Sequence, residues 1–243
     1  MIDLHGHLVY GVDDGPRDRA EALELAWALQ RAGVTTFACT SHIRPDRGWV
    51  NDRTVVAANL ARAKEVADEV GMQVVQGAEH YIDDRVFGDD DFADRLVPYG
   101  NSRWLLVECP YLGPPPDLLG ILARIKRKGF KILLAHLERF PYACDDDDLV
   151  DRLIDAGHLV QVNLGSLAGA YNRAQQKAAE RLVKRGRAAV LAGDCHRAPD
   201  VGDCILDGRR AALKLITPAQ LTRLTVGSPQ AILDDAAADR VFP

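Results

Sequence analysis

Long apolar runs are missing from this sequence. None approaches the roughly 18–20 residues that a helical membrane span requires. The N-terminus, Met1-Ile2-Asp3-Leu4-His5, also lacks the basic-then-apolar order of a signal peptide. A cytoplasmic location without membrane insertion is therefore expected. Cysteine is sparse: Cys39, Cys109, Cys144, Cys195 and Cys204 are odd in number and show no paired spacing. That pattern argues against a disulfide framework and for a reducing compartment. There is no basic excess either. The net charge is −5, which argues against a broad nucleic-acid footprint. Only seven of the 30 basic residues are Lys, and Ala and Asp are abundant, as expected of a GC-rich coding sequence. No Ser/Gly-rich linker, internal repeat or composition shift divides the chain, so one domain over residues 1–243 is expected.

What is present is an ordinary globular composition, 47% hydrophobic and 27% charged, in a regular alternation. Short apolar runs read as strands at Met1–His5, Thr36–Thr40, Gln73–Gly77, Trp104–Glu108, Lys131–Ala135, Leu159–Asn163 and Ala188–Ala192. Helical patterns lie between them at Arg19–Arg31, Arg53–Val70, Pro116–Lys128, Asp147–Ala156, Arg173–Arg185 and Asp203–Lys214. In the first, Leu23, Ala26, Trp27 and Gln30 have the spacing of one buried face. Several helices stop at Gly before the next strand, as at Gly33, Gly129 and Gly157. Strands that alternate with helices are parallel, and continuous apolar strands suit a sheet covered on both faces. Both an open doubly wound sheet and a barrel satisfy this pattern. The acidic stretches Gly88–Asp94 and Asp145–Asp148 read as solvated loop and helix-start charge.

The chemistry lies just past the strands. They run into His5-Gly6-His7, Ser41-His42, Ala78-Glu79, Glu108, His136 and Asp194-Cys195-His196. Five of the seven histidines occupy these positions; His80 and His158 do not. In an α/β barrel the C-terminal strand ends share one rim, where reactive groups collect. So many imidazoles and carboxylates on one rim require divalent cations to fill their lone pairs and offset their charge. His5 and His7, two apart on a strand, point the same way and can grip one ion; Asp194-x-His196 reads likewise. Imidazole and carboxylate without a thiolate pair favour Mn, Fe or catalytic Zn over structural zinc. The donors exceed the needs of one ion, which implies two or three. Such centres split water and clamp a phosphoryl group.

The ordered set His5-x-His7, Asp13-Asp14-Gly15, Ser41-His42, Gly77-Ala78-Glu79, Glu108, Ala135-His136-x-Glu138-Arg139 and Asp194-x-His196 resembles the polymerase and histidinol phosphatase (PHP) superfamily. Within it, Val12-Asp13-Asp14-Gly15-Pro16, Ala135-His136-Leu137-Glu138-Arg139-Phe140, Gln161-Val162-Asn163 and Gly227-Ser228-Pro229-Gln230-Ala231 are most similar to bacterial manganese-dependent protein-tyrosine phosphatases of capsule and exopolysaccharide clusters. The resemblance implies an α/β fold, a distorted (β/α)7 TIM-like barrel, with three divalent ions, Mn first and Fe or Zn as alternatives. His5, His7, Glu79 and Asp194 would hold one ion. Glu79, Glu108 and His136 would hold a second, with Glu79 bridging, and Asp14, His42 and His196 the third. Arg139 would bind phosphate and, with Asp194 and His196, serve catalysis. A second family arginine, in a Gly-Pro-Arg context after the last metal-binding His, is not matched in His196-Arg197-Ala198-Pro199-Asp200; Arg197 or Arg44 is the candidate replacement. The implied reaction is hydrolysis of phosphotyrosine by a metal-activated hydroxide. The implied partner is a phosphotyrosine protein, a bacterial tyrosine autokinase, in capsule or exopolysaccharide regulation. Asp194 and metal-bound water are both candidates for assisting the leaving group.

Three rival readings stand beside this one. Cys204 to Arg210 fits the Cys-x5-Arg string of cysteine-dependent phosphatases, but five Cys and 23 Arg make one such match unsurprising. Ile205 and Leu206 within it suit a helix face better than a phosphate-cradling loop, so Cys204 is expected to be structural. Histidinol phosphate or another small phosphoester is an alternative substrate for the same centre. A metal-binding regulatory module without turnover is the alternative of another class; the intact ligand set argues against it.

Overall fold

The computed structural model describes residues 1–144 and 146–241, so Asp145 of the second acidic stretch lies outside the described residues. Nine strands form: β1 (Ile2–Asp3), β2 (Thr36–Cys39), β3 (His42–Ile43), β4 (Gln73–Gln76), β5 (Glu79–Tyr81), β6 (Trp104–Glu108), β7 (Lys131–Leu134), β8 (Leu159–Asn163) and β9 (Val190–Ala192). Every pairing between them is parallel, in the orders β1-β2-β4 and β3-β5-β6-β7-β8-β9.

Nine strands arise from seven because two of the seven break near their C-terminal ends. Thr40 and Ser41 separate β2 from β3, and Gly77 and Ala78 separate β4 from β5. At the first break Thr40 turns to β1's extension: its N–H donates to Gly6 O and its Oγ1 accepts from Gly6 N, both at 2.9 Å. At the second, Gly77 lies so close to Tyr99 and Thr40 that a Cβ would meet them at 3.1 Å. The polar segments β3 and β5 were not foreseen as strands, because two and three residues give no readable alternation.

After β1 the chain leaves β2 and reaches the last strand. Gly6 bridges Cys195 in parallel, Asp194 N donates to His5 O at 2.8 Å, and His7 N donates to Cys195 O at 3.0 Å. This brings the seventh strand back beside the first. The order around the sheet is that of the distorted (β/α)7 barrel, not an open doubly wound sheet.

Five long crossover helices cover the outside: α1 (Arg19–Arg31), α2 (Arg53–Glu69), α3 (Leu118–Arg127), α4 (Asp147–Asp155) and α5 (Arg173–Lys184). Each is started by an Asx side chain, from Asp18, Asp52, Asp117, Asp146 and Asn172, that accepts from first-turn N–H groups. Each is followed two residues beyond its end by a left-handed Gly, at 33, 71, 129, 157 and 186, which turns the chain into the next strand.

Two expectations change. α1 buries Ala22, Leu25, Ala26 and Leu29, whereas Trp27 and Gln30 face solvent. Both stripes have helical spacing, but the two alanines permit close approach to the sheet and the Trp does not. The single helix expected at Asp203–Lys214 is instead a π-helical segment, Gly202–Asp207, followed by an α-helix, Gly208–Ala212. Gly208 abuts Leu164 so closely that a Cβ would meet it at 2.5 Å.

The strands are apolar on both faces for a reason the two cores make plain. On β6 and β7, Leu105, Val107, Ile132 and Leu134 pack outward with the helices, while Trp104, Leu106 and Leu133 join a second cluster with Leu4, Tyr99 and Leu159. The C-terminal segment completes this second cluster with Ile232 and Val241, and Trp104 Nε1 donates to Ala236 O at 3.0 Å. Apolar side chains therefore fill the sheet's interior up to the level where β6 ends in Glu108 and β8 in Gln161 and Asn163.

Candidate metal centre

At that level the interior turns polar. β1 runs on into His5 and His7, both fully buried, with ring centroids 5.8 Å apart. His42 on β3 stands in register with Glu79 on β5. Glu108 closes β6. His136 follows β7 with φ +30°, and Asp194 follows β9 with φ +55°. Left-handed backbone at a non-glycine residue costs of order 1–3 kcal/mol and persists where the surroundings enforce it. This turn past β9, not strand alternation, brings Asp194 and His196 to the rim. Asp14 arrives from the loop ahead of α1, where Gly15 sits so near His7 that a Cβ would meet its carbonyl at 2.8 Å.

All nine residues expected as ligands converge. Glu79 is at the centre: its Oε2 lies 3.2 Å from His5 Nε2, 3.0 Å from His42 Nδ1 and 3.7 Å from His7 Nε2, and its Oε1 lies 2.9 Å from His136 Nε2. Donor atoms within 4.8 Å of one another form four overlapping sets: His7, Asp14, His42 and His196; His5, His7 and Asp194; His5, Glu79 and His136; and His42, Glu79 and Glu108. Asp14, His42 and His196 fall in one set together with His7, and His5, His7 and Asp194 form another without Glu79. Glu108 and His136 are not in one set, because Glu108 leans toward Arg44, whose Nη1 donates to it at 3.3 Å. Glu79 belongs to both of their sets.

An outer layer orients the ligands. Gln161 Oε1 accepts from His136 N and lies 3.0 Å from each of that nitrogen and His5 Nδ1. The backbone donor fixes the amide's orientation, so His5 donates through Nδ1 and turns its Nε2 toward Glu79 and Asp194. Asp13 Oδ2 does the same for His7 Nδ1 at 2.9 Å, while accepting from His42 N at 3.0 Å. Gln161 Nε2 donates to Asn163 Oδ1, and Asn163 Nδ2 donates to Asp194 Oδ2 at 2.8 Å. Sequence reading named Gln161 and Asn163 only as part of a resemblance and gave Asp13 no role. Their function is visible only once the partners are in place.

The donor set fits divalent cations. His5 Nε2, His7 Nε2, His42 Nδ1 and Glu79 Oε2 are buried without a hydrogen-bond partner among the described residues, an expensive state for protein alone. They point into common space, as ligand atoms do. The protonation pattern agrees. Burial alone would depress the imidazoles, but Glu79 and Asp194 push His5 up to about 10, and Glu79 and Asp14 push His42 up to about 11. Against the opposition of burial, His5 holds Asp194 well below the usual carboxylate range. Burial and the Glu79 charge lift Glu108 to about 8. Cations would replace the protons that this cluster otherwise demands.

A cavity of about 180 Å³ opens over the cluster, with Arg44, Arg47, Arg139 and Trp49 on its wall. Arg139 Nη1 donates to Asp194 Oδ2 at 3.0 Å, and its guanidinium lies 5.0 Å from the centre of the Tyr171 ring. Arg44 stacks on Tyr81 at 4.0 Å. Arg197 does not line this cavity; its side chain donates to Glu21 Oε2 at 3.3 Å and is half-exposed. Arg47 and Trp49 had no sequence signal. An antiparallel bridge between Arg44 and Trp49, through the left-handed Gly48, sets Trp49 on His42 with ring centroids 5.0 Å apart. Cys204 is buried within helix, its Sγ 3.9 Å from Tyr171 Oη, and Arg210 instead pairs with Asp207, so no phosphate cradle forms there. His80 is a core residue: its Nδ1 donates to Leu106 O and its Nε2 accepts from Val97 N.

A parallel α/β barrel with five imidazoles and four carboxylates on one rim defines a class, the barrel hydrolase with a candidate metal-binding rim. The family follows from comparison with known proteins. The chain belongs to the capsular polysaccharide synthesis family CpsB/CapC, whose model matches residues 1–234. It is similar to the tyrosine-protein phosphatase YwqE of Bacillus subtilis (strain 168), 28% identical over 201 residues, 81% of this chain and 77% of YwqE. It is similar to the tyrosine-protein phosphatase CpsB of Streptococcus pneumoniae, 29% identical over 204 residues, 81% of this chain and 83% of CpsB. A crystal structure from work on YwqE and CpsB, described as unique metal-dependent tyrosine phosphatases, superposes with a TM-score of 0.88 over 98% of this chain and 96% of that one, at 23% identity. That superposition shows the shared fold. No helix among the described residues is long and apolar enough to cross a membrane.

Proposed function

We propose that this chain is a metal-dependent phosphomonoesterase that hydrolyses phosphotyrosine in proteins, as one functional unit over residues 1–243. The observation that carries it is the set of buried ligand atoms on His5, His7, His42 and Glu79, crowded together without hydrogen bonds among the described residues, beside a cavity walled by Arg44, Arg47 and Arg139. Cation ligands below and guanidinium groups above suit a dianionic phosphoryl group. The names of YwqE and CpsB support a phosphotyrosine substrate, and family membership supports a place in capsule or exopolysaccharide regulation. A tyrosine autokinase of that system is the proposed partner, in the cytoplasm.

Three divalent ions, Mn first, fit the donors. His5, His7, Asp194 and Glu79 would hold one; Glu79 with Glu108 and His136 a second; Asp14, His42 and His196 the third. Bound there, they would lower the pKa of water toward ~7 and offset charge on the phosphoryl oxygens. The chain's own residues do the rest. Arg139, held by Asp194 and Tyr171, would fork onto two phosphoryl oxygens and stabilise their charge in the transition state. Arg44 is the better substitute for the missing second arginine, because it lines the cavity and Arg197 turns to Glu21. Asp194, ionised and accepting from Arg139 and Asn163, suits ligation and positioning of Arg139 better than proton donation. A phenolate leaving group, with a pKa of roughly 10, needs little protonation. His196 acts from the ligand set.

The deciding experiment is a substrate panel of phosphotyrosine peptide, phosphoserine peptide, histidinol phosphate and nucleotides on the manganese-loaded protein, repeated after chelation. Phosphotyrosine is expected to turn over fastest, chelation to abolish activity and Mn²⁺ to restore it, while Cys204→Ser retains most of it. Metal-independent turnover lost in Cys204→Ser would overturn the proposal.

A further inference from the structure

A second cleft, of about 450 Å³, adjoins the metal-centre cavity, and Arg139 lies on the wall of both. Its floor is α5, which packs directly behind Arg139: Gln175 Nε2 donates to the Arg139 carbonyl at 3.4 Å. Arg173, Lys177 and Arg181 follow one another at four-residue spacing along this helix, so they form a single ridge. Tyr111 and Pro141 form part of the cleft's lining, and Tyr111 is about half-exposed.

Among the described residues, the charge on this ridge is largely uncompensated. No carboxylate is among the described residues that line the cleft. Arg181 is neutralised by Asp147 at 3.3 Å. Arg173 donates only to the neutral Gln176 amide, and Lys177 makes no ion pair among the described residues. The neighbouring acids among the described residues are engaged elsewhere: Asp147 also takes Arg185 and Arg187, Glu180 takes Lys184, and Asp194 takes Arg139. In a chain of net charge −5, two cations with no ion pair among the described residues, beside the reaction cavity, select for a negative partner.

We infer that this cleft is a specificity subsite that holds acidic residues flanking the phosphotyrosine of the substrate polypeptide, with Arg173 and Lys177 as the recognising groups and Tyr111 and Pro141 against its backbone. The inference rests on the phosphatase reading above. Its geometry sets the range. From Arg173 to Arg181 the helix rises about 12 Å, which an extended peptide spans in about three to four residues. The ridge thus matches about three to four residues of extended substrate. Tyr111 and Pro141 add apolar contact, and the long Lys and Arg stems allow several acidic spacings to be accepted.

The test compares two phosphotyrosine peptides of equal length, one with Asp and Glu in the flanking positions and one with Gln and Ser, alongside free phosphotyrosine. Wild type, Lys177→Glu and Arg173→Glu/Lys177→Glu are assayed in the manganese-loaded state. Wild type is expected to prefer the acidic peptide, with the preference shrinking in 0.5 M salt. Lys177→Glu is expected to lower kcat/KM for that peptide by about 5–10-fold, chiefly through KM. Turnover of free phosphotyrosine is expected to stay within about twofold of wild type in both variants, which also shows that they are folded. Normal turnover of free phosphotyrosine with equal rates on the two peptides would overturn the subsite alone. An equal loss on peptide and free phosphotyrosine would do the same. No turnover of phosphotyrosine in any form would remove the phosphatase reading, and this inference with it.

Discussion

Residue by residue, the centre is organised around Glu79, which meets four imidazoles from three different stretches of chain. A carboxylate shared by two donor sets should matter more to metal retention than a peripheral imidazole. Glu79→Gln is therefore expected to lose more metal than His196→Ala, a difference readable by elemental analysis of the purified proteins; equal stoichiometry would remove the shared role. Arg139 is the second focus. If it carries the phosphoryl charge, Arg139→Ala should cost about 3–4 kcal/mol in the transition state, or 10²–10³ in kcat/KM, with kcat falling as well as KM rising. Arg139→Lys should recover only part, because it keeps the charge and loses the fork. Metal content should be unchanged. Steady-state kinetics beside Arg44→Ala and Arg197→Ala decide the matter: a near-wild-type kcat for Arg139→Ala would sink the assignment, and Arg197→Ala is expected to be mild.

At the scale of the element, the same punctuation is used five times: an Asx cap, an amphipathic helix, and a left-handed Gly that returns the chain to the sheet. This explains why the crossover helices were readable from the sequence to within about two residues. The buried face of α1 was not. Leu25 is fully buried and Trp27 is 40% exposed, so Leu25→Ala is expected to cost about 2–5 kcal/mol and Trp27→Ala less than about 1 kcal/mol. Urea unfolding of the two variants measures this, and a larger loss for Trp27→Ala would contradict the packing. β3 and β5 show the converse. They are too short to announce themselves, yet their pairing sets His42 opposite Glu79.

Across the whole molecule, an apolar interior supports a polar rim, and stability carries a pH signature remote from the candidate metal centre. His158 is buried between α4 and β8, where desolvation and then Lys126 lower its pKa from 6.5 to about 4. The native state thus binds the neutral imidazole while the unfolded chain takes up a proton first. The associated stability is complete above pH 6.5 and is lost as pH falls toward 4, by up to about 3 kcal/mol. His158→Leu should therefore narrow the gap in unfolding free energy between pH 7 and pH 4.5 by about 2–3 kcal/mol relative to wild type. Parallel pH profiles for the two proteins would refute this role.

The alternation of apolar strands with capped helices, and the recurrence of His, Asp and Glu just past those strands, are local in the chain. The sequence alone therefore determined a parallel α/β chain and eight of the nine rim residues; Asp14, in the loop ahead of α1, entered only through the family resemblance. Which donor atoms lie together, and that Arg44 faces the cavity while Arg197 turns to Glu21, depend on side chains tens of residues apart in sequence. Closure through Gly6 and Cys195 joins residues 189 positions apart, and the left-handed turns at His136 and Asp194 exist because the closed sheet enforces them. Periodicity encodes which face of a segment is apolar; it carries no information about distances across the sheet. Those were decided only when tertiary packing fixed the partners.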